Sequence, residues 1–73
     1  MVEHIWPEPT VAQLHALDCA DKFGEVAAYH GAKGAARYAV IGSVTQHKWV
    51  DAQGRITPLG REALRQYGHK IRP

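Results

Sequence analysis

KWVDAQGRITPLGR, residues 48–61, is the stretch that indicates the fold most clearly. Val50 and Ile56 flank the turn-forming run 51–54, in which Gly54 can adopt the positive φ that a short loop commonly needs. The two arms can then fold back on each other. The stretch therefore predicts a short two-stranded hairpin.

A helix should begin directly after this hairpin. The Thr57 hydroxyl can cap its first turn, and Pro58 lies where a missing N–H costs nothing. Gly68 can end the helix. Helical spacing gives the segment an apolar stripe of Leu59, Ala63, Leu64 and Tyr67. Its solvated basic face is expected to carry Arg61, Arg65 and Lys70.

The N-terminal half contains the start signal of another helix. Thr10 and Gln13 fit a capping box, in which the threonine side chain accepts from the Gln13 N–H while the glutamine side chain reaches back. The helix should start near Val11 and end near Gly24. Its predicted apolar residues are Val11, Leu14, Leu17 and Ala20.

Two further helices are expected between this helix and the hairpin. A short one covers residues 25–29, and residues 30–34, which include two glycines, form a turn. The next helix covers about 35–47 and has the apolar set Tyr38, Val40, Ile41 and Val44. Its β-branched residues leave a strand over 38–45 as an alternative.

Both tryptophans are interpreted as packing residues. Trp49 should lie beneath the hairpin, where it buries one of the largest apolar areas that the chain offers. Trp6 and Ile5 belong to an extended lead-in and are expected to fold back onto the core.

Size and composition place the chain among small globular domains. Its 73 residues form one domain with a thin core, divided into an extended segment 1–9, a folded domain 10–68 and a frayed basic tail 69–73. Cys19 is the only cysteine, so no intramolecular disulfide is possible. The longest apolar run, 35–44, is interrupted and falls short of the ~20 residues of a spanning helix. A soluble cytoplasmic protein without a membrane segment is expected.

The charge is unevenly distributed. Nine Lys and Arg against seven Asp and Glu give a net charge of +2, too weak by itself to indicate nucleic acid. Five of the seven acidic residues lie at or before Glu25, whereas seven of the nine basic residues lie at or after Arg37. The C-terminal half is therefore the basic half.

Residues 44–64, VTQHKWVDAQGRITPLGREAL, resemble the end of the recognition helix, the wing and the next helix start of MarR-like and PadR-like regulators. The resemblance implies that residues 10–68 form a winged helix-turn-helix domain, mainly α, with three helices, a two-stranded wing and a C-terminal helix. Arg37 then occupies an expected core position. Either the turn carries an extra residue, which brings Tyr38 and Ile41 into the core, or the recognition helix is presented differently.

The resemblance also implies double-stranded DNA as the partner. In such proteins the recognition helix lies in the major groove, and the wing meets the backbone or the minor groove. Arg and Gln can read base edges, whereas Lys and Ser can hold phosphates. The implied DNA-binding residues are Lys33, Arg37, Ser43, Gln46, His47, Lys48 and Arg55. The alternative is that these are ordinary solvated side chains.

Other functional chemistry has weaker support. His15 and Cys19 stand four apart and would form half of a zinc site, but no second pair has ligand spacing, so a packed Cys19 and a surface His15 are expected. Residues 31–34 lack the Gly-Lys-Ser/Thr pattern of a nucleotide loop. No metal, cofactor or catalytic residue is predicted, and the chain is not expected to be an enzyme.

Two functions fit these patterns. The first is a small DNA-binding transcriptional regulator that acts as a homodimer, because one module offers few contacts. The second is a protein-binding adaptor or inhibitor on the same frame, of a kind frequent among phage and mobile-element products, with a host protein as its partner.

Overall fold

The computed structural model describes residues 4–72, so the ends of the predicted lead-in and tail, 1–3 and 73, lie outside it. Its three α-helices are α1 (Val11–Phe23), α2 (Gly34–Gln46) and α3 (Pro58–Tyr67). Two 3-10 turns, Val26–Ala28 and Gly68–Lys70, follow α1 and α3. The three longer predicted helices are thus confirmed to within one residue at each end. The short helix predicted over 25–29 is only a 3-10 turn, and the alternative strand over 38–45 is wrong.

Local caps set the ends of two helices, as the sequence predicts. Thr10 Oγ1 accepts from the Gln13 N–H at 3.1 Å, and Gln13 Oε1 accepts from the Thr10 N–H at 2.9 Å. At the start of α3, Thr57 Oγ1 accepts from the Gly60 N–H at 3.0 Å. α1 ends at Gly24, whose φ of +84° is the left-handed conformation of a glycine C-cap.

The core forms around α1, which packs against α2, α3 and the first 3-10 turn. Trp49 is only 2% exposed and is confirmed as a core residue. Trp6 is 81% exposed, so its predicted packing role is wrong. The buried apolar residues are Ile5, Leu14, Ala16, Leu17, Ala20, Val26, Tyr29, Val44, Trp49, Val50, Ala63, Leu64 and Tyr67.

The predicted two-stranded wing is wrong, because the described part of the chain contains no β-strand. One isolated antiparallel bridge joins Val50 and Ile56. The chain reverses at Lys48, whose φ is +62°, immediately before Trp49, and Pro58 already begins α3. Each arm therefore has only a pair of residues, too few for a ladder of hydrogen bonds. The winged helix-turn-helix fold class is overturned with the wing.

The segment between the bridged residues is a tight turn. Asp51 Oδ1 accepts from the N–H groups of Gln53 at 2.9 Å and Arg55 at 3.0 Å. Gly54 has a φ of +81°, which confirms its predicted role, and its carbonyl accepts from the Val26 N–H at 2.7 Å. The turn is therefore fixed against the 3-10 turn that follows α1.

The two ends of the described chain lie side by side along α3. The Ile5 N–H donates to Gln66 Oε1 at 2.9 Å, and the Tyr67 hydroxyl donates to the Ile5 carbonyl at 2.8 Å. Lys70 forms an ion pair with Glu8. The tail was expected to fray, but Lys70 is held by this ion pair, and residues 68–70 form the second 3-10 turn.

Candidate nucleic-acid interface

One side of α2 is open to solvent along the length of the helix. Val44, on the opposite side, is the only fully buried residue of α2. The side chains pointing away from it, at 3.6 residues per turn, form what we term the α2 outer face. It consists of Ala35, Tyr38, Ala39, Gly42, Thr45 and Gln46, all of them exposed and uncharged.

Ser43, an expected DNA contact, instead fixes α2 against α1. Its Oγ accepts from Gln13 Nε2 at 3.0 Å and donates to the Val40 carbonyl at 2.8 Å. Gln13 is also the capping residue of α1. The Gln13 side chain thus caps α1 and also holds α2 in position. Because Ser43 Oγ is engaged in both of its hydrogen bonds, it is not available to a phosphate.

Arg37, another expected DNA contact, is turned toward the protein. Its Nε donates to the Tyr29 carbonyl at 2.7 Å, and its Nη2 donates to the Ala27 carbonyl at 2.6 Å. The guanidinium carbon also lies 5.9 Å from the centre of the Tyr38 ring. Arg37 therefore ties the segment after α1 to α2, while Tyr38, 70% exposed, does not enter the core.

His47 is likewise occupied within the protein. Its ring stacks on Trp49 with centroids 4.6 Å apart and planes inclined by 27°. His47 is also the C-cap residue of α2, and its N–H donates to the Ser43 carbonyl at 3.0 Å. Because it is half-buried in this stack, we assign His47 a packing role.

Two exposed lysines mark the two ends of α2. Lys33 is the N-cap residue of the helix, and Lys48 follows its last turn. A rise of 1.5 Å per residue places their backbones roughly 20 Å apart. Gln46 is exposed near the second of them. Of the seven expected DNA-binding residues, the structure therefore leaves Lys33 and Lys48 exposed at the two ends of α2 and Gln46 exposed on the α2 outer face.

Arg55 is exposed but lies on a different surface. It lines a cleft of about 360 Å³ together with Ala20, Asp21 and Gly24 at the end of α1, and with Ile56 and Arg61. No residue of α2 lines this cleft. Arg55 is therefore not part of the same arrangement as Lys33 and Lys48.

The charge around α2 is one-sided. Residues 26–50 contain no acidic residue. Within residues 4–72, Lys33, Arg37, Lys48 and Arg55 form no ion pair with a carboxylate, whereas the other five cations do. Arg37 is satisfied by backbone carbonyls, so Lys33 and Lys48 are the unpaired cations that flank the α2 outer face.

Two polar residues of this face were not among the expected contacts, namely Tyr38 and Thr45. Tyr38 was assigned to the core together with Val40, Ile41 and Val44, of which only Val44 is fully buried and the others are half-buried. The sequence contains no signal that could have found them, because only the structure identifies Val44 as the buried side of α2. Tyr38 lies about 120° from Val44 on the helix, and Thr45 about 100°.

Cys19 has the properties of a packing residue. It is half-buried, and burial, followed by the nearby Asp18 carboxylate, raises the pKa of its thiol above the usual 9.0, against the smaller opposite effect of Lys22. The thiolate, which is the reactive form, is correspondingly disfavoured. No group of three or more His, Cys, Asp or Glu side chains that could hold a metal ion occurs in the described range.

Comparison of the chain with protein-family models, with curated proteins and with solved structures gave no match. The resemblance of residues 44–64 to MarR-like and PadR-like regulators stays a prediction. Among the described residues, no helix is both long and apolar enough to cross a membrane.

Proposed function

We propose that the chain is a DNA-binding protein that inserts the α2 outer face into the major groove of duplex DNA. The observation that supports this most directly is an exposed helix without a carboxylate and with an unpaired lysine at each end. The major groove, about 12 Å wide, admits one α-helix. Lys33 and Lys48, at opposite ends of that helix, then contact phosphates on the two sides of the groove.

The residues between the lysines suit close contact with bases. Ala35, Ala39 and Gly42 are small, so the helix can approach the groove floor closely. Gln46 can pair with adenine through its amide, and the methyl group of Thr45 can contact thymine. Arg37 does not touch DNA in this arrangement but holds α2 in position through the Ala27 and Tyr29 carbonyls.

The start of α2 adds a second feature that favours phosphate. In α1 and α3 a threonine side chain accepts from one N–H of the first turn, whereas α2 has no side-chain cap and has Lys33 at the N-cap position. Free N–H groups and the positive end of the helix dipole attract anions. A DNA phosphate at this end would satisfy groups that no protein side chain satisfies.

The backbone of Lys48 supports a role for its side chain. Its φ of +62° is unfavourable for a residue with a Cβ by roughly 1 kcal/mol, and glycine is the usual residue at such a helix end. Strain of this kind often accompanies function. A lysine at a position suited to glycine is consistent with a requirement for its charge.

A second candidate function is a protein-binding adaptor or inhibitor that docks the α2 outer face on another protein. The observation that favours it is Tyr38, which is 70% exposed within an uncharged surface. The centres of protein interfaces are rich in tyrosine and poor in charge. This candidate predicts no binding to duplex DNA even at low salt.

The test is a fluorescence anisotropy titration of a labelled DNA duplex at several salt concentrations. Affinity should fall steeply with salt, because each neutralised phosphate releases counterions. Lys33→Gln/Lys48→Gln should weaken binding and reduce the slope of log K against log salt by about 2. Gln46→Ala should lower affinity for particular sequences while leaving the slope unchanged.

The matched control is Lys22→Gln/Lys70→Gln, which removes the same charge away from α2. Circular dichroism should establish that both double variants fold. Equal weakening by the two double variants would show that only net charge matters. That result, or absence of binding at low salt, would refute the proposed interface.

A further inference from the structure

A second basic surface is formed without any residue of α2. It is a cleft of about 260 Å³ between the end of α1, α3 and the C-terminal residues. The cleft is lined by Asp21, Arg61, Leu64, Arg65 and Arg72 and by no residue of α2. Three arginines thus line one small space, and Asp21 is the one acidic residue in its lining.

The first two arginines of the cleft are only partly engaged by carboxylates. Arg61 Nη1 donates to Asp21 Oδ1 at 2.6 Å, whereas Arg65 donates to the Glu62 carboxylate through Nε, at 3.0 and 3.1 Å, and through Nη2. A guanidinium group carries five N–H donors in a planar fork. The side chains are 63% and 64% exposed, so their remaining donors are open to a ligand.

Arg72 is the least compensated of the three arginines. Its Nη2 lies 3.7 Å from Asp18 Oδ1, which is beyond hydrogen-bond distance, while Asp18 Oδ2 pairs with Lys22 at 3.1 Å. Asp18 Oδ1 is buried and accepts no hydrogen bond. The Asp18 carboxylate is therefore shared between Lys22 and Arg72. In this cluster four cations face three carboxylates, which leaves one positive charge uncompensated.

The position of Arg72 depends on the backbone after α3. The 3-10 turn Gly68–Lys70 directs the chain back, and the Ile71 N–H donates to the Gly68 carbonyl at 3.1 Å. A Cβ on Gly68 would lie 3.3 Å from Arg72 Nη1, closer than side chains usually approach. The glycine therefore gives Arg72 room to lie against the end of α3, near the buried Leu64.

We infer that this cleft binds a phosphate dianion, either inorganic phosphate or the phosphate of a small phosphomonoester. Guanidinium forks match phosphate oxygens in pairs, and arginine is favoured where such bidentate recognition occurs. The excess positive charge would attract the anion, and the free donors of Arg61, Arg65 and Arg72 would bind its oxygens. The inference goes beyond the proposed DNA interface, because it uses none of the α2 residues.

Isothermal titration calorimetry at constant ionic strength tests the inference, with inorganic phosphate and with adenosine 5′-monophosphate as probes. Equal affinity for both identifies the free phosphate group as the ligand, and tighter binding of the nucleotide identifies a phosphomonoester. Arg65→Gln/Arg72→Gln should weaken binding about tenfold or more, because charge-assisted hydrogen bonds are lost. Lys33→Gln/Lys48→Gln removes the same charge from α2 and should weaken phosphate binding less than Arg65→Gln/Arg72→Gln does.

An NMR titration of the unmodified chain with inorganic phosphate provides a second test, which does not depend on the folding of any variant. Amide shift changes should concentrate at Asp21, Leu64, Arg65 and Arg72. Changes centred on α2, or equal weakening by the two double variants, would refute the assignment. Absence of binding by both probes at about 10 mM would do the same.

Discussion

The main-chain oxygen of Trp49 lies 2.0 Å from the position that a Cβ on Gly60 would occupy. Gly60→Ala should therefore push α3 away from the core and lower the free energy of unfolding by about 1–3 kcal/mol in urea denaturation. Gly42→Ala is the matched control, because its Cβ would meet nothing within 4 Å. That variant should instead gain about 0.5–1 kcal/mol from the higher helix propensity of alanine. A stable Gly60→Ala variant would contradict this packing of α3.

Lys48→Gly should change stability and DNA affinity in opposite directions. Glycine relieves the strain of the +62° φ and should raise the free energy of unfolding by roughly 1 kcal/mol. Loss of the ammonium group should weaken duplex binding in the anisotropy assay. Lys48→Ala keeps the strain and loses the charge, so it should weaken binding without the gain in stability. Unchanged affinity in both variants would remove Lys48 from the interface.

Arg37→Gln should destabilise the fold, because the carbonyls of Ala27 and Tyr29 lose the charge-assisted hydrogen bonds that the guanidinium group donates. We expect a loss of about 1–3 kcal/mol in urea denaturation. Lys33→Gln, on the same helix but exposed and unpaired, should change stability by less than about 0.5 kcal/mol. If the two substitutions had equal effects on stability, the positioning role of Arg37 would be wrong.

The lowered pKa of Glu62 predicts that the free energy of unfolding falls in acid. Side-chain hydrogen bonds, first from Arg65 and then from Gln66, lower its pKa below the ordinary 4.5. A depressed pKa in the folded state contributes stability above the unfolded-state pKa, and that contribution is lost as pH falls through the lower folded value. The melting temperature of Glu62→Gln should consequently fall less between about pH 5 and pH 3 than that of the unchanged chain. Parallel pH profiles would exclude this contribution.

Local signals were sufficient for the helix ends. The capping box of Thr10 and Gln13, and the cap formed by Thr57 before Pro58, involve residues at most three positions apart, so the sequence contains the whole interaction. Trp49 could be predicted as a core residue from its size and its apolar neighbour Val50. The wing could not be excluded in this way. Its absence follows from the chain reversal at Lys48 and the start of α3 at Pro58, which together leave the two arms too short to form strands.

The candidate interface depended on contacts that sequence spacing does not show. Arg37 meets carbonyls eight and ten residues away, which identifies it as a positioning residue only once the turn before α2 is placed. The left-handed conformation of Lys48 was hidden because such positions are expected to be glycine. Tyr38 was misassigned because the apolar residues of α2 follow no single face, so their pattern did not indicate which side is buried.

The arginine cleft was predictable only in part. Arg61 and Arg65 are four residues apart and were expected together on the solvated side of the last helix. Arg72 joins them because the chain turns back after Gly68, which the expectation of a frayed tail did not anticipate. A converging cluster was therefore interpreted as ordinary solvation.

The contacts of Ile5 with Gln66 and Tyr67 join positions 61 and 62 residues apart in the chain. Because α1 packs against α3, these contacts form only after the two helices have come together, and they then hold the segment before α1 in place. The segment before α1, residues 4–9, is therefore expected to dock last during folding and to detach first. Its detachment would uncover one side of α3 while the three helices stay assembled. The contact between this segment and α3 is therefore where the molecule is expected to open partially.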